Sequence, residues 1–65
     1  MIRIAIRFMN NMVLVVDEEG EQIPEYQGQY DELKGSILRD APPDTVFAHG
    51  FTDDGKLRDV PKGEW

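Results

Sequence analysis

The sequence predicts a small α+β domain spanning residues 1–65, with one helix on one face of an antiparallel or mixed sheet of four to five strands in the order β-β-(β)-α-β-β. Three observations carry that prediction. Residues 2 to 8 alternate strictly, with Ile2, Ile4, Ile6 and Phe8 on one side and Arg3, Ala5 and Arg7 on the other. Between Gly28 and Asp40 the apolar period lengthens to that of a helix. From Thr45 onward a strand, a turn and a second strand follow in close succession.

The first strand ends at "MNNM", where Asn10 and Asn11 tolerate the left-handed geometry of a tight hairpin. Met12 to Val16 is apolar on both faces, which predicts a central position in the sheet. In "DEEGEQI" Gly20 supplies a positive-φ turn, and a short third strand is expected around Glu21 to Ile23, ended by Pro24. Tyr26, Tyr30, Leu33 and Ile37, with Leu38 beside them, draw one stripe along the helix. Asp31 and Glu32 in its first turn and Arg39 in its last complement the helix dipole. Gly35 inside it costs about 1 kcal/mol relative to alanine, and close approach of the helix backbone to the sheet is the expected reason. Ala41-Pro42-Pro43 ends the helix. Residues 45 to 51 form the next strand, "TDDGK" a hairpin loop with Gly55 left-handed, and Leu57 to Val60 the last strand.

Composition narrows the function more than any motif does. The 65 residues hold 40% apolar and 31% charged side chains, an ordinary globular balance, and no cysteine. Disulfides, thiolate metal sites and nucleophilic cysteine chemistry are therefore excluded. The N-terminal "MIRIAIRF" is interrupted by arginines, unlike the apolar segment of a signal peptide, and no apolar run spans a membrane, so a cytoplasmic setting is expected. A formal charge of −6 speaks against DNA, whose binding rests on Lys and Arg contacts to phosphate.

The lone histidine, His49, invites a catalytic or metal reading with Asp53 and Asp54. Zinc needs three or four ligands, and the chain has no second histidine. "DDGKLRD" also misses the calcium-loop spacing, and turn chemistry accounts for both aspartates. The acidic run Asp17-Glu18-Glu19-Gly20-Glu21 reads as a solvated hairpin tip. "YQGQY" reads as tyrosine packing ahead of the helix rather than as an anion site. Ser36 lacks a G-x-S-x-G elbow. No catalytic residue, metal ligand or cofactor is assigned, and an enzyme using His49 as base is the least supported reading.

One helix covers one face of a sheet, and the Ile2-Ile4-Ile6-Phe8 face is the one expected beneath it. The other face then carries Arg3, Ala5 and Arg7, half of Met12 to Val16, and either the Phe47-His49-Phe51 stripe or the Val46-Ala48-Gly50 stripe. Such a face is more apolar than a small monomer leaves in water. Either the segment ending in Trp65 covers it, or it binds a protein partner or a second copy of the chain. Arg3, Arg7, Phe47, His49 and Phe51 are the candidate binding residues. The same set suits an alternative, a small-ligand or single-stranded nucleic-acid binder that stacks bases on aromatics.

Overall fold

The computed structural model describes residues 1–51 and 55–65, with only the main chain of Phe51. Strands β1 (Ile4–Phe8), β2 (Met12–Val16), β3 (Gly28–Gln29), β4 (Val46–Phe51) and β5 (Lys56–Val60) form one sheet in the order β3-β2-β1-β4-β5. β1 runs parallel to β4, and every other pairing is antiparallel. Helix α1 (Tyr30–Asp40) lies between β3 and β4 in the chain, and short 3-10 turns occupy Pro24–Tyr26 and Lys62–Glu64. This is the α+β architecture and element order that the sequence predicts.

Turn chemistry closes the chain where expected. Asn11 has φ 69°, the left-handed value that asparagine tolerates, and Asn10 Oδ1 accepts the Met12 amide at 3.1 Å. Asp17 caps its turn by accepting the amides of Glu19 and Glu21 at 2.9 and 3.0 Å, while Gly20 takes φ 82°. Gly55 stands at φ 67° before β5. The expected turn roles of Asp53 and Asp54 lie outside the described residues.

The third strand is displaced from its expected place. Gln22 makes one isolated bridge to Val16, and the true β3 is Gly28–Gln29, paired with Val13 and Met12. Pro24 explains the shift: the chain enters a 3-10 turn there and returns to the sheet edge only afterwards. The edge of β2 between those two pairings is filled by a side chain. Gln27 Oε1 accepts the Val15 amide at 3.3 Å, and its Nε2 donates to the carbonyls of Val15 and Ile23 at 2.7 and 2.8 Å.

Helix α1 buries most of the stripe read from its spacing, with Tyr30 and Ile37 in the core and Leu33 and Leu38 packed around them, whereas Tyr26 packs in from the separate Pro24–Tyr26 turn, because Gly28–Gln29 pair with β2 and the helix starts only at Tyr30. Its first amide, that of Tyr30, donates to the Asn11 carbonyl at 2.8 Å, so the β1–β2 turn supplies the cap that the Gln29 side chain does not. The Tyr26 hydroxyl donates to Asp40 Oδ2 at 2.6 Å, fastening the 3-10 turn to the helix end. That bond, with Arg39 beside it, holds the Asp40 carboxyl below its ordinary range, and the bond to the carboxylate raises the Tyr26 phenol above its own.

Gly35 does not lie against the sheet. It is exposed, and a Cβ built on it meets nothing within 4 Å. The helix therefore carries the glycine's entropic cost with no packing in return. Gly35→Ala is expected to raise stability by about 0.5–1 kcal/mol, read as a higher urea midpoint with an unchanged slope. A lowered midpoint would mean that the backbone there needs glycine after all.

The two faces of the sheet exchange their expected roles. Register places Ala5 beside Val15 and Phe47, and Arg7 beside Val13 and His49. Ala5, Val13, Val15 and Phe47 share one buried cluster with Tyr30, Ile37 and Ala41, joined by Ile2 from ahead of β1 and by Trp65. The helix thus covers the Arg3-Ala5-Arg7 face, and Ile4, Ile6 and Phe8 point the other way. Size supplies the reason. Ala5, in the centre of the sheet and fully buried, leaves room for both Ile37 and the Trp65 ring. The arginines flanking it sit toward the strand ends, where long stems carry their charges to the rim.

Candidate functional site

Both sheet faces hold features of functional interest, and they differ in kind. On the helix face the last residues of the chain fold back and seat Trp65 against the sheet. Its side chain is only 3% exposed. The ring meets Tyr30 edge-on, with centroids 5.3 Å apart, and Phe47 at 5.1 Å, while Nε1 donates to the Ala48 carbonyl at 3.1 Å. The main-chain oxygen of Trp65 accepts from Arg7 Nη1 at 3.3 Å and, with that nitrogen protonated, from His49 Nε2 at 3.2 Å.

Arg7 does more than bond Trp65. Its guanidinium stands 3.8 Å above the Tyr30 ring, and its Nη2 donates to Asn11 Oδ1 at 3.3 Å. Asn11 Nδ2 in turn donates to Asp31 Oδ2 at 3.0 Å. A continuous chain of polar contacts therefore runs from Asp31 on the helix through Asn11 and Arg7 to Trp65.

Three of the five residues singled out from sequence, Arg7, Phe47 and His49, thus converge on Trp65. Arg3 stands apart, donating to Asp44 Oδ2 at 3.2 Å in an exposed pair. Phe51 shares the β4 alternation, and its side chain lies outside the described residues. The Phe47-His49 stripe points toward the helix, and Phe47 is buried beneath Trp65. Arg7 and His49, with Phe8, Met9 and Gly50, also line a cleft of about 170 Å³ at the ends of β1 and β4. That volume is below the few hundred cubic ångströms of a usual ligand site. Among the described residues no three His, Asp or Glu side chains gather as a metal site would require, and no helix is long and apolar enough to cross a membrane.

The opposite face is apolar throughout its centre. β1 contributes Ile4, Ile6 and Phe8, and β2 contributes Met12, Leu14 and Val16. β4 adds Val46, Ala48 and Gly50 by parallel register with β1. On β5, Leu57 sits opposite Gly50 and Asp59 opposite Ala48, which places the face's first charge at its margin. None of these residues belongs to the cluster formed with the helix and Trp65. Leu57 is 53% exposed and Met12 38%. Gly50 makes a shallow hollow that the Phe8 ring overlies, since a Cβ there would stand 2.6 Å from that ring.

Trp65 thus lies on the helix face and not on this one, whose central Ile6 (8% exposed), Ala48 (1%) and Gly50 are nonetheless buried among their neighbours. The β1 residues of this open face, Ile4, Ile6 and Phe8, are those whose alternation predicts burial beneath the helix, where only Ile2 of that set belongs to the core. The signal that both faces are apolar was present in the uninterrupted run of β2. Comparison of the chain with protein-family models, curated proteins and solved structures finds no match.

Proposed function

We propose that the chain is a non-enzymatic protein-interaction module that works through the open sheet face. The supporting observation is the run of uncharged, apolar side chains across β2, β1 and β4, half-buried at Ile4, Phe8, Leu14, Val16 and Val46 and exposed at Met12 and at Leu57 on the rim. Isolated exposed apolar residues are common on any protein, whereas a contiguous patch on three adjacent strands is a mark of an interface. Across β2, β1 and β4 the face presents no acid, base or nucleophile, and Asp59 stands only at its margin, so contact rather than chemistry is what it offers. A cytoplasmic setting suits a chain without cysteines.

The ligand and nucleic-acid readings draw less support. Arg7 and His49 already bond the Trp65 oxygen, Phe47 is buried, and Arg3 pairs with Asp44. Those contacts occupy the groups that phosphate binding or base stacking would use.

A photo-crosslinking residue at position 57 or at position 32 separates the faces in living cells. Position 57 is expected to give discrete protein adducts, and position 32, on the exposed side of the helix, none. Equal labelling from both positions, or none from position 57, would overturn the proposal.

A further inference from the structure

We propose that the outer edge of β5 takes an extended segment of another protein, added as a sixth strand, in which acidic residues alternate with apolar ones. The inference goes beyond the open-face reading, because it concerns an edge of the sheet rather than either face. The two edges differ. On one, β3 is two residues long, and the Gln27 side chain fills the adjoining stretch of β2. An edge treated in this way offers an incoming strand little to pair with. β5 is the opposite case. It is five residues long, and among the described residues it pairs with β4 alone. An antiparallel edge strand points the main-chain amide and carbonyl of every second residue outward, which is the template for strand addition. Lys56, Leu57, Arg58 and Asp59 are all exposed, so no layer shields this edge from above or below.

Side-chain alternation says what the added strand must carry. Register sets Lys56 and Arg58 beside Phe51 and His49, on the helix side, and Leu57 beside Gly50, on the open side. A strand laid along β5 brings its own side chains to the same two sides, about 5 Å from those of β5. Carboxylates on the helix side meet Lys56 and Arg58, and an apolar side chain on the other side packs on Leu57. Arg7 and His49 continue the Arg58 row across β1 and β4, which extends the basic character inward from the edge. The acidic run Asp17 to Glu21 follows β2, three strand spacings away. That is about 14 Å, beyond the Debye length of about 8 Å at physiological salt.

The same charges bar a second copy from this edge. Two β5 strands related by a twofold axis that keeps their helix sides together pair side chains of like facing. Pairing about Lys56 or about Arg58 sets that residue against itself. Pairing about Leu57 sets Lys56 against Arg58, and pairing about Asp59 opposes two carboxylates. Every such register juxtaposes like charges, so the edge refuses itself and admits an acidic strand.

A blocked hexapeptide alternating glutamate and valine tests the inference, by amide NMR titration of the whole chain. Saturable binding is expected, with a dissociation constant of about 10–500 µM and shifts concentrated on β5 and β4. Replacing the glutamates by lysines should weaken binding at least about tenfold, since two cross-strand pairs turn from attraction to repulsion. N-methylating every amide of the glutamate peptide removes its main-chain donors and should abolish binding. Lys56→Glu combined with Arg58→Glu should invert the preference between the two peptides. The first three measurements use the unaltered chain, so a misfolded variant leaves the test intact. No binding at about 1 mM, equal binding of the two peptides, or undiminished binding of the N-methylated one would overturn the inference. So would shifts confined to Met12, Leu14 and Val16, a result that leaves the open-face reading standing.

Discussion

Replacing Trp65 by alanine is expected to cost about 3–5 kcal/mol, the range for a buried aromatic removed from a core. A chain of 65 residues has about 3–10 kcal/mol of stability in total, so the loss takes between a third and all of it. Trp65 has this weight because it closes the helix side of the sheet. It packs against Tyr30 from α1 and Phe47 from β4, and its indole N–H satisfies the Ala48 carbonyl. Its main-chain oxygen also receives Arg7 and His49. Trp65→Phe separates the two contributions. It retains most of the ring contact and forfeits the hydrogen bond to Ala48, at an expected cost of about 1–2 kcal/mol. Urea unfolding followed by far-ultraviolet circular dichroism reads both variants without relying on the tryptophan signal. A Trp65→Ala protein within about 1 kcal/mol of the parent would show that the tryptophan is not part of the core.

This dependence on one residue at the end of the fold was not legible in the sequence, although most elements were. The helix stripe from Tyr30 to Ile37, the hairpin at Asn10 and Asn11 and the turn at Gly20 all follow from local spacing and turn chemistry, which the structure obeys, while Tyr26 falls in a separate 3-10 turn. Local rules hold for these because their causes lie within a few residues. The assignment of faces is different, because it depends on what packs against the sheet from far along the chain. The rule that the more apolar side of a strand faces the core presumes one site of burial. Here β1 presents Ile4, Ile6 and Phe8 outward and turns Ala5 toward the helix, because small Ala5 accommodates Ile37 and Trp65.

The same reversal recasts the candidate site. Arg7, Phe47 and His49 are candidate binding residues by sequence, which leaves open the side the Phe47-His49-Phe51 stripe faces, and the structure spends them on holding Trp65. Residue type suggested a surface role, but nothing in the spacing of β4 reveals that a tryptophan sixteen residues after His49 returns to it. What the sequence did announce was an excess of apolar surface over what one helix can cover. That surplus rests in Leu14, Val16 and their neighbours on the open face. A chain able to bury its isoleucines beneath the helix would have no such surface to offer a partner.

Gln27→Ala is expected to lower stability by about 1–3 kcal/mol, the usual cost of leaving a partly buried polar group without its partner. The residue completes the edge of β2 where no strand does. Beyond it β3 pairs with Met12 and Val13, and on the other side Gln22 reaches Val16, so Val15 is bridged by a side-chain amide. In the alanine variant the Val15 carbonyl keeps its bond from the Ile23 amide at 3.0 Å, but the Val15 amide loses its acceptor. Hydrogen exchange at Val15 should therefore accelerate more than exchange at Val13, which β3 still protects. Gln27→Glu sharpens the test through pH. A carboxylate there faces the Val15 and Ile23 carbonyl oxygens, which favour its protonated form and raise its folded pKa above the ordinary value near 4.3. A raised folded pKa contributes stability that is present below the unfolded value and lost as pH rises through the folded one. The Glu variant should thus approach the parent in mild acid and fall away toward neutrality, while the Ala variant keeps a constant deficit. Unchanged Val15 protection in both variants would show that the β2 edge is held without the glutamine.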